Sequence, residues 1–288
     1  MGSERDSFYR PGEILEAVEA KIASVEKSKE GIDYLTFVPD GEPTLDVNLG
    51  REVDLLKPCG FKIAVITNSS LLWREDVRNE LRKADWVSLK LDALREDVWR
   101  RCNRPHRILQ LKQILEGMLT FSKVYRGTLV TETMLVRGLN DGDDHLREIA
   151  DFLLKLRPAK AYVSVPTRPP AEPWVKPPEE DVIDRAYRIF RRATDHVAFL
   201  TGYEGDTFVS TGNVEEDLLS ITAVHPMRED AVRALLARSG SDWSMIEKLI
   251  AQGRLVEKQY EGKRFYAQQL TKKYNSAQGG NHEKEQHH

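Results

Sequence analysis

Thiols are scarce in this sequence. Its 288 residues carry two cysteines, Cys59 and Cys102. Two exclude a disulfide framework and accord with a reducing, cytoplasmic setting. They also exclude an iron–sulfur or zinc site held wholly by this chain's thiolates, which takes three or four. Long apolar runs are missing: none approaches the ~20 residues that span a bilayer. The opening MGSERDSFYR lacks the apolar core of a secretory leader, so no membrane contact is expected. Charge of one sign is missing too. Forty-three Lys and Arg against 46 Asp and Glu leave a net charge of −3, which argues against a bulk nucleic-acid binder. Neither G-x-G-x-x-G nor G-x-x-x-x-G-K-[ST] follows a strand-like run, which weighs against the common nucleotide-binding sheets. G-x-S-x-G and H-E-x-x-H are absent, and His106, His145, His196 and His225 show no ligand spacing, so no metal site is predicted.

What is present is enough for a sizeable core: 40% of the residues are hydrophobic and 31% charged. After a loose lead-in at 1–10, Pro11 opens a helix whose apolar residues Ile14, Leu15, Val18, Ile22 and Val25 recur at helical spacing. Strand-like runs then alternate with helical ones. Strands are expected at 34–39, 62–67, 86–92, 128–136, 161–165 and 197–200, and helices at 48–58, 74–84, 107–122, 144–156 and 180–193. This alternation predicts an α/β fold with a parallel sheet of βαβ units, either a barrel or a doubly wound sheet. From about 215 the pattern changes to two short helices and a hairpin with Glu261-Gly262 at its turn, which is the winged-helix order. Residues 271–288 read as a disordered tail. The domain reading is therefore 11–214 for the barrel-like part and 215–270 for the smaller module.

Polar residues at the ends of the strands are the informative set, because chemistry in such barrels sits on that face. The run Trp86–Asp92 is the most telling. Val87, Leu89 and Leu91 point one way and Ser88, Lys90 and Asp92 the other. Burying lysine and aspartate in a parallel sheet costs several kcal/mol unless they are paired or wet, so the row predicts a hollow lined by charge. The competing reading is an edge strand with one solvated face. Glu132, between Thr131 and Thr133, invites the same argument; Ser164 and Arg168 follow on the next strand and loop.

Four segments carry a resemblance: Phe37-Val-Pro-Asp-Gly-Glu-Pro-Thr44, Ile66-Thr-Asn-Ser69, Ser88-Leu-Lys-Leu-Asp92 and Thr133-Met-Leu-Val-Arg-Gly-Leu-Asn-Asp141. In that order, at successive strand ends, they resemble the radical S-adenosylmethionine superfamily. Asn103-Arg-Pro-His106 fits the branch similar to the wyosine-forming tRNA enzymes. The resemblance implies a partial (β/α) barrel with S-adenosylmethionine as cofactor. It implies that Gly41, Glu42 and Pro43 meet the cofactor's ammonium. Asn68 and Ser69 would line it, and Ser88, Lys90 and Asp92 would reach its carboxylate and ribose, with Glu132 beside them. Asp40 departs from the family's Gly-Gly-Glu-Pro. The resemblance also implies a [4Fe–4S] cluster on C-x-x-x-C-x-x-C ahead of the first helix, which would deliver an electron to the sulfonium and release a 5′-deoxyadenosyl radical. No such motif occurs here. The sequence thus reads as a member lacking its start, inactive alone, with the strand edge at Leu35–Val38 left unpaired. No catalytic residue is assigned, and RNA is a possible substrate by family likeness.

The C-terminal module holds nine acids and eight bases over 215–270. Its hairpin carries Arg254, Lys258, Lys263 and Arg264, with Tyr260, Phe265 and Tyr266 as candidates for base stacking; the competing reading packs Tyr260 and Phe265 under the wing and leaves the basic residues as solvated surface. A nucleic-acid or protein contact through 228–267 is the expectation. Two alternatives stand beside the radical enzyme: a small-ligand-sensing barrel whose winged helix contacts DNA or a partner, and an unrelated barrel enzyme using Lys90, Asp92 and Glu132 for acid–base work.

Overall fold

The computed structural model describes residues 4–28, 31–38, 41–200, 213–224 and 226–269. Asp40, His225 and the expected tail at 271–288 lie outside the described residues. The chain divides into two compact units, 1–212 and 213–288.

The first unit runs α1 (Pro11–Ser28), β1 (Tyr34–Phe37), α2 (Leu49–Leu56), β2 (Lys62–Thr67), α3 (Glu75–Leu81), β3 (Trp86–Lys90), α4 (Glu96–Asn103) and α5 (Leu111–Val124). It continues with β4 (Thr128–Met134), α6 (Asp143–Leu156), β5 (Lys160–Ser164), α7 (Glu180–Phe190) and β6 (Val197–Leu200). All six strands are parallel and stand in chain order. A doubly wound sheet reverses its strand order partway; this one does not. With right-handed crossovers, unreversed order lays every helix on the same face and curls the sheet into part of a barrel.

Register then sorts the side chains. Ile63, Val65, Val87, Leu89 and Val163 face the helices and are buried with Val53, Phe121, Leu153 and Phe190. The alternate positions, among them Ser88, Lys90, Glu132 and Ser164, line the inner face. Tyr34 and Trp86 lie 6.4 Å apart at the N-terminal ends of their strands. Among the described residues β1 pairs with β2 alone, so its outer edge is open, and β3 is an interior strand. The edge-strand reading of Ser88, Lys90 and Asp92 is thereby overturned.

Two local expectations are corrected. The helix expected at 107–122 is preceded by α4, which the pattern did not announce. Val98 and Trp99 are its buried apolar residues, too few to display a helical period. It stops at Arg104, which is left-handed at φ 48° ahead of Pro105, and α5 begins at Leu111. In α5 the backbone at Gly117 meets the loop after β2 so closely that a Cβ there would lie 2.3 Å from the Leu72 carbonyl oxygen.

The lead-in is not loose over its described part. Arg5 donates to the Thr44 and Asp46 carbonyls at 2.9 and 2.6 Å, pairs with Asp76 at 2.9 Å and with Glu80, and its side chain is 6% exposed. This clamp joins the lead-in, the loop after β1 and α3. Arg5→Ala should lower stability by about 2–3 kcal/mol, because it leaves Glu80 and two carbonyls without their donor. Urea unfolding measures it, and Arg10→Ala, which removes only an exposed pair with Glu13, should change little.

The second unit comprises α7's successor α8 (Val214–Val224), β7 (Met227–Arg228), α9 (Glu229–Arg238), α10 (Ser244–Ala251), β8 (Leu255–Tyr260) and β9 (Lys263–Gln268). The strands form an antiparallel sheet ordered β7-β9-β8. Glu261 and Gly262 turn the hairpin with φ of 48° and 71°, as a two-residue primed turn requires. For Phe265 the packing reading holds, and the stacking reading of Tyr266 is corrected. Phe265 and Tyr266 are buried in the module's own core, and Tyr266 meets Trp243 edge-on and donates its hydroxyl to Glu257. Arg254 pairs with Glu215, and Arg264 with Glu229.

Candidate functional site

The predicted residues gather at the C-terminal ends of β1–β5, in two groups on neighbouring strands. Thr67 pairs in register with Leu89, so Asn68 and Lys90 follow side by side.

The first group is built around Glu42. Its carboxylate caps the short 3-10 turn Pro43–Leu45. Oε1 accepts from the Thr44 amide and hydroxyl at 3.1 and 2.7 Å and from the Thr67 hydroxyl at 2.5 Å. Oε2 accepts from the Asn68 amide at 2.6 Å. Glu42 therefore ties the loop after β1 to the end of β2, with its carboxylate spent on the chain itself. An ammonium ligand would meet backbone here. The Gly41 carbonyl accepts no backbone hydrogen bond among the described residues, and a Cβ at Gly41 would meet nothing within 4 Å. Ser69 is buried with a left-handed φ of 68°, and its hydroxyl has no partner among the described residues. Burial raises the Glu42 pKa, against the pull of its donors. Glu42→Gln should cost about 2–3 kcal/mol, since an amide NH2 must then face either the Asn68 N–H or the threonine donors. Thermal unfolding of this variant against wild type measures it.

The second group lies on the inner face. Lys90 Nζ sits 2.8 Å from Glu132 Oε1 and 3.8 Å from Asp92 Oδ1. Ser164 donates to the same Glu132 oxygen at 2.8 Å. Asp92 is nearly fully buried and accepts from the Met134 amide and from Asn103 Nδ2, both at 2.8 Å. Burial works against the Lys90 ammonium, but Asp92 and Glu132 outweigh it and hold its pKa above the ordinary lysine value. Burial also opposes charge on Glu132, yet Lys90 and Ser164 leave its pKa below the usual range. For Asp92 burial prevails and the pKa rises. Ser88 is buried on the same face. The result is one partly exposed ammonium held between two carboxylates on the inner face.

Sequence reasoning named Ser88, Lys90, Asp92 and Glu132, and the structure brings them onto one face. Sequence reasoning missed Asn103 and Asn140 as the groups that hold Asp92 and the loop after β4, and it did not foresee that the Glu42 carboxylate is engaged by Thr44, Thr67 and Asn68. A cavity of about 420 Å³ adjoins Glu132 and Ser164 at the ends of β4–β6, under the Pro166–Pro178 loop, with Cys102 in its wall. Burial and Asp92 push the Cys102 thiol up to about 12, so it stays protonated.

The two thiols do not suit an iron–sulfur cluster. Cys59 precedes β2, at the N-terminal end of the sheet, whereas Cys102 lies at the opposite end, about 15 Å or more away at ~3.3 Å per strand residue. Among the described residues no three His, Cys, Asp or Glu side chains converge as a metal site. No helix is long and apolar enough to cross a membrane among those residues.

Comparison with known proteins bears on this geometry. The family model described as the Radical SAM superfamily matches residues 3–153. A UPF0026 protein of Methanocaldococcus jannaschii is 45% identical over 269 residues, covering 93% of this chain and 83% of its own. A UPF0026 protein of Helicobacter pylori J99 is 36% identical over 154 residues, and the match spans 53% of this chain and half of that protein. A solved radical SAM methyltransferase from Sphaerobacter thermophilus shares the fold with a TM-score of 0.52 at 21% identity, over 67% of this chain and 59% of that one. With its unreversed parallel sheet, its helices on one face and polar residues gathered at the strand ends, the chain belongs to the radical SAM superfamily.

Proposed function

We propose that this chain binds S-adenosylmethionine across the ends of β1–β3. Lys90 holds the methionine carboxylate, the Gly41 carbonyl takes the ammonium, Asn68 and Ser69 line the bound molecule, and Ser88 reaches a ribose hydroxyl. The observation that carries this reading is Lys90: an ammonium on an interior strand, on the face the helices leave open, held by Glu132 and Asp92. Its side chain is 22% exposed, which leaves the ammonium a side open to a further carboxylate where little water competes. Asp92, whose oxygens are both engaged, positions Lys90.

S-Adenosylmethionine supplies a 5′-deoxyadenosyl radical when it is reductively cleaved in this superfamily. That step needs a cluster, and the two thiols of these 288 residues are too few and too far apart to hold one. The chain is thus read as a cofactor-binding member that does not cleave the cofactor by itself. The element order of the second unit is that of a winged helix and supports a macromolecular contact. Its buried rings and paired arginines do not favour nucleic acid.

Titration calorimetry with S-adenosylmethionine should show one site per chain. Anaerobic incubation with iron and sulfide, then dithionite and S-adenosylmethionine, should yield no 5′-deoxyadenosine. No saturable heat overturns the binding reading, and product formation overturns the inactivity.

A further inference from the structure

The lead-in over residues 5–9 is stitched to one short stretch of chain, the loop 43–48 between Glu42 and α2. The Asp6 amide donates to the Leu45 carbonyl at 3.0 Å, and the Val47 amide donates back to the Asp6 carbonyl at 3.0 Å. The Phe8 amide donates to Asp46 Oδ2 at 3.3 Å, and Asn48 Nδ2 to the Ser7 hydroxyl at 2.8 Å. Apart from Arg5 this segment buries little, for Phe8 and Tyr9 are both exposed. Hydrogen bonds with so little apolar burial make a segment that opens locally while the rest stays folded.

Asp46, at the centre of this stitching, acts on a second buried carboxylate. Glu52 is 3% exposed, on the side of α2 that also buries Leu49 and Leu56. Its Oε1 has no hydrogen-bond partner among the described residues. The Asn48 amide, which an acid in this first turn could accept, donates to Asp46 Oδ1 at 2.7 Å. The other charged groups nearby are engaged or turned outward. On α3, Glu80 pairs with Arg5, Lys83 with Asp54, and Asp76 with Arg5 and Arg74. On and after α2, Arg51 is exposed and Lys57 pairs with Asp54. Helix α1 turns Ile14, Leu15 and Val18 inward and leaves Glu13, Glu16, Glu19 and Lys21 exposed, and Asp6 of the lead-in is exposed too. Burial, and then Asp46, push the Glu52 pKa up to about 7.

We propose that the lead-in is a proton-controlled strap: with Glu52 neutral it stays closed on the loop 43–48, and when Glu52 loses its proton the repulsion between Glu52 and Asp46 opens it. Opening lets water reach Glu52, whose pKa then returns towards its ordinary value of 4.5. The closed strap thus binds more protons than the open one. Its advantage is complete below about pH 4.5, declines as pH rises to about 7, and falls no further above that. The change reaches the loop after β1, because Arg5 holds the Thr44 carbonyl while Thr44 donates its amide and hydroxyl to Glu42. No ligand takes part, so strap closure and cofactor binding stand or fall separately.

Hydrogen exchange on the full chain, followed by mass spectrometry and corrected for the intrinsic pH dependence of amide exchange, measures the opening. Protection of peptides spanning 5–10 and 44–48 should fall about tenfold or more between about pH 5 and about pH 7.5, whereas β4 keeps its protection. Glu52→Gln, neutral at both values, should remove the fall. Equal protection at the two values, a fall shared by β4, or a fall that persists in Glu52→Gln each overturns the proposal. Should Glu52→Gln not fold, a pH series on wild type decides. A decline confined to about pH 4.5–7 supports the strap, and a decline that continues above that range or never begins overturns it.

Discussion

Lys90→Met should abolish measurable S-adenosylmethionine binding, a loss of about a hundredfold or more, while the sheet still folds. The substitution keeps the length and apolar stem of the side chain and removes only its charge. What remains is Asp92 and Glu132, two carboxyls on one buried face with no cation between them. A methionine carboxylate brought there meets repulsion in place of a partner, which accounts for about 3 kcal/mol. Lys90→Arg should keep part of the affinity, because charge survives while geometry changes.

Stability carries a second signature of the same variant, and its sign follows from the pKa directions. In wild type the lowered Glu132 contributes stability above the usual carboxylate range and loses it only as pH falls through its lowered value. The raised Lys90 contributes below the usual lysine value and loses it only as pH climbs through its raised value. Both contributions are complete at neutral pH. In Lys90→Met the two carboxyls raise each other, and stability is lost as pH rises from about 4 towards 7. The deficit against wild type should therefore be larger at pH 7 than at pH 4.5. Denaturant unfolding at the two values decides it, and an equal deficit means the charges of the trio are not coupled.

Asn140→Ala should be the most destabilising single change in the first unit. Asn140 is fully buried, accepts from the Val136 amide at 2.7 Å and donates to the Asp92 and Met134 carbonyls at 2.9 and 2.8 Å. Alanine removes three hydrogen bonds, leaving the Val136 amide and the Met134 carbonyl without these partners and the Asp92 carbonyl with His145 Nε2 at 3.4 Å. At about 1 kcal/mol each, the loss is about 3 kcal/mol, or about 6–12 °C in melting temperature for a domain of this size. The Asp92 backbone is one of the groups released, so cofactor binding should weaken as well. Asp141→Ala, one residue away, gives up a single exposed bond to the Gly138 amide and should cost under about 1 kcal/mol. Equal melting temperatures for the two variants would contradict this account of the loop.

Much of the barrel was legible because its signals are local. A helix period needs about ten residues and a strand period about five, and α1, α6, α7 and β2 supply them within their own spans. The polar row of Ser88, Lys90 and Asp92 was legible for the same reason: alternation assigns faces without knowledge of the neighbours. Helix α4 was too short to show its period. The employment of Glu42 was hidden, because Gly-Glu-Pro reads as a loop carboxylate until Thr67 and Asn68 are brought to it across the strand gap. Arg5 was hidden further: its partners Asp76 and Glu80 lie more than 70 residues along the chain. Tyr266 looked available for stacking, and the packing of α10 over β9 put Trp243 against it.

By itself the sequence determined which residues alternate, which carry charge, and in what order the strand ends present them, since these depend on spacing alone. The tertiary structure decided that the strands keep chain order and leave one face open, that Lys90 stands between Glu132 and Asp92, and that Glu42 binds its own loop. Those outcomes depend on hydrogen-bond partners brought together from distant positions. Buried polar groups must find such partners, and only packing determines which are within reach.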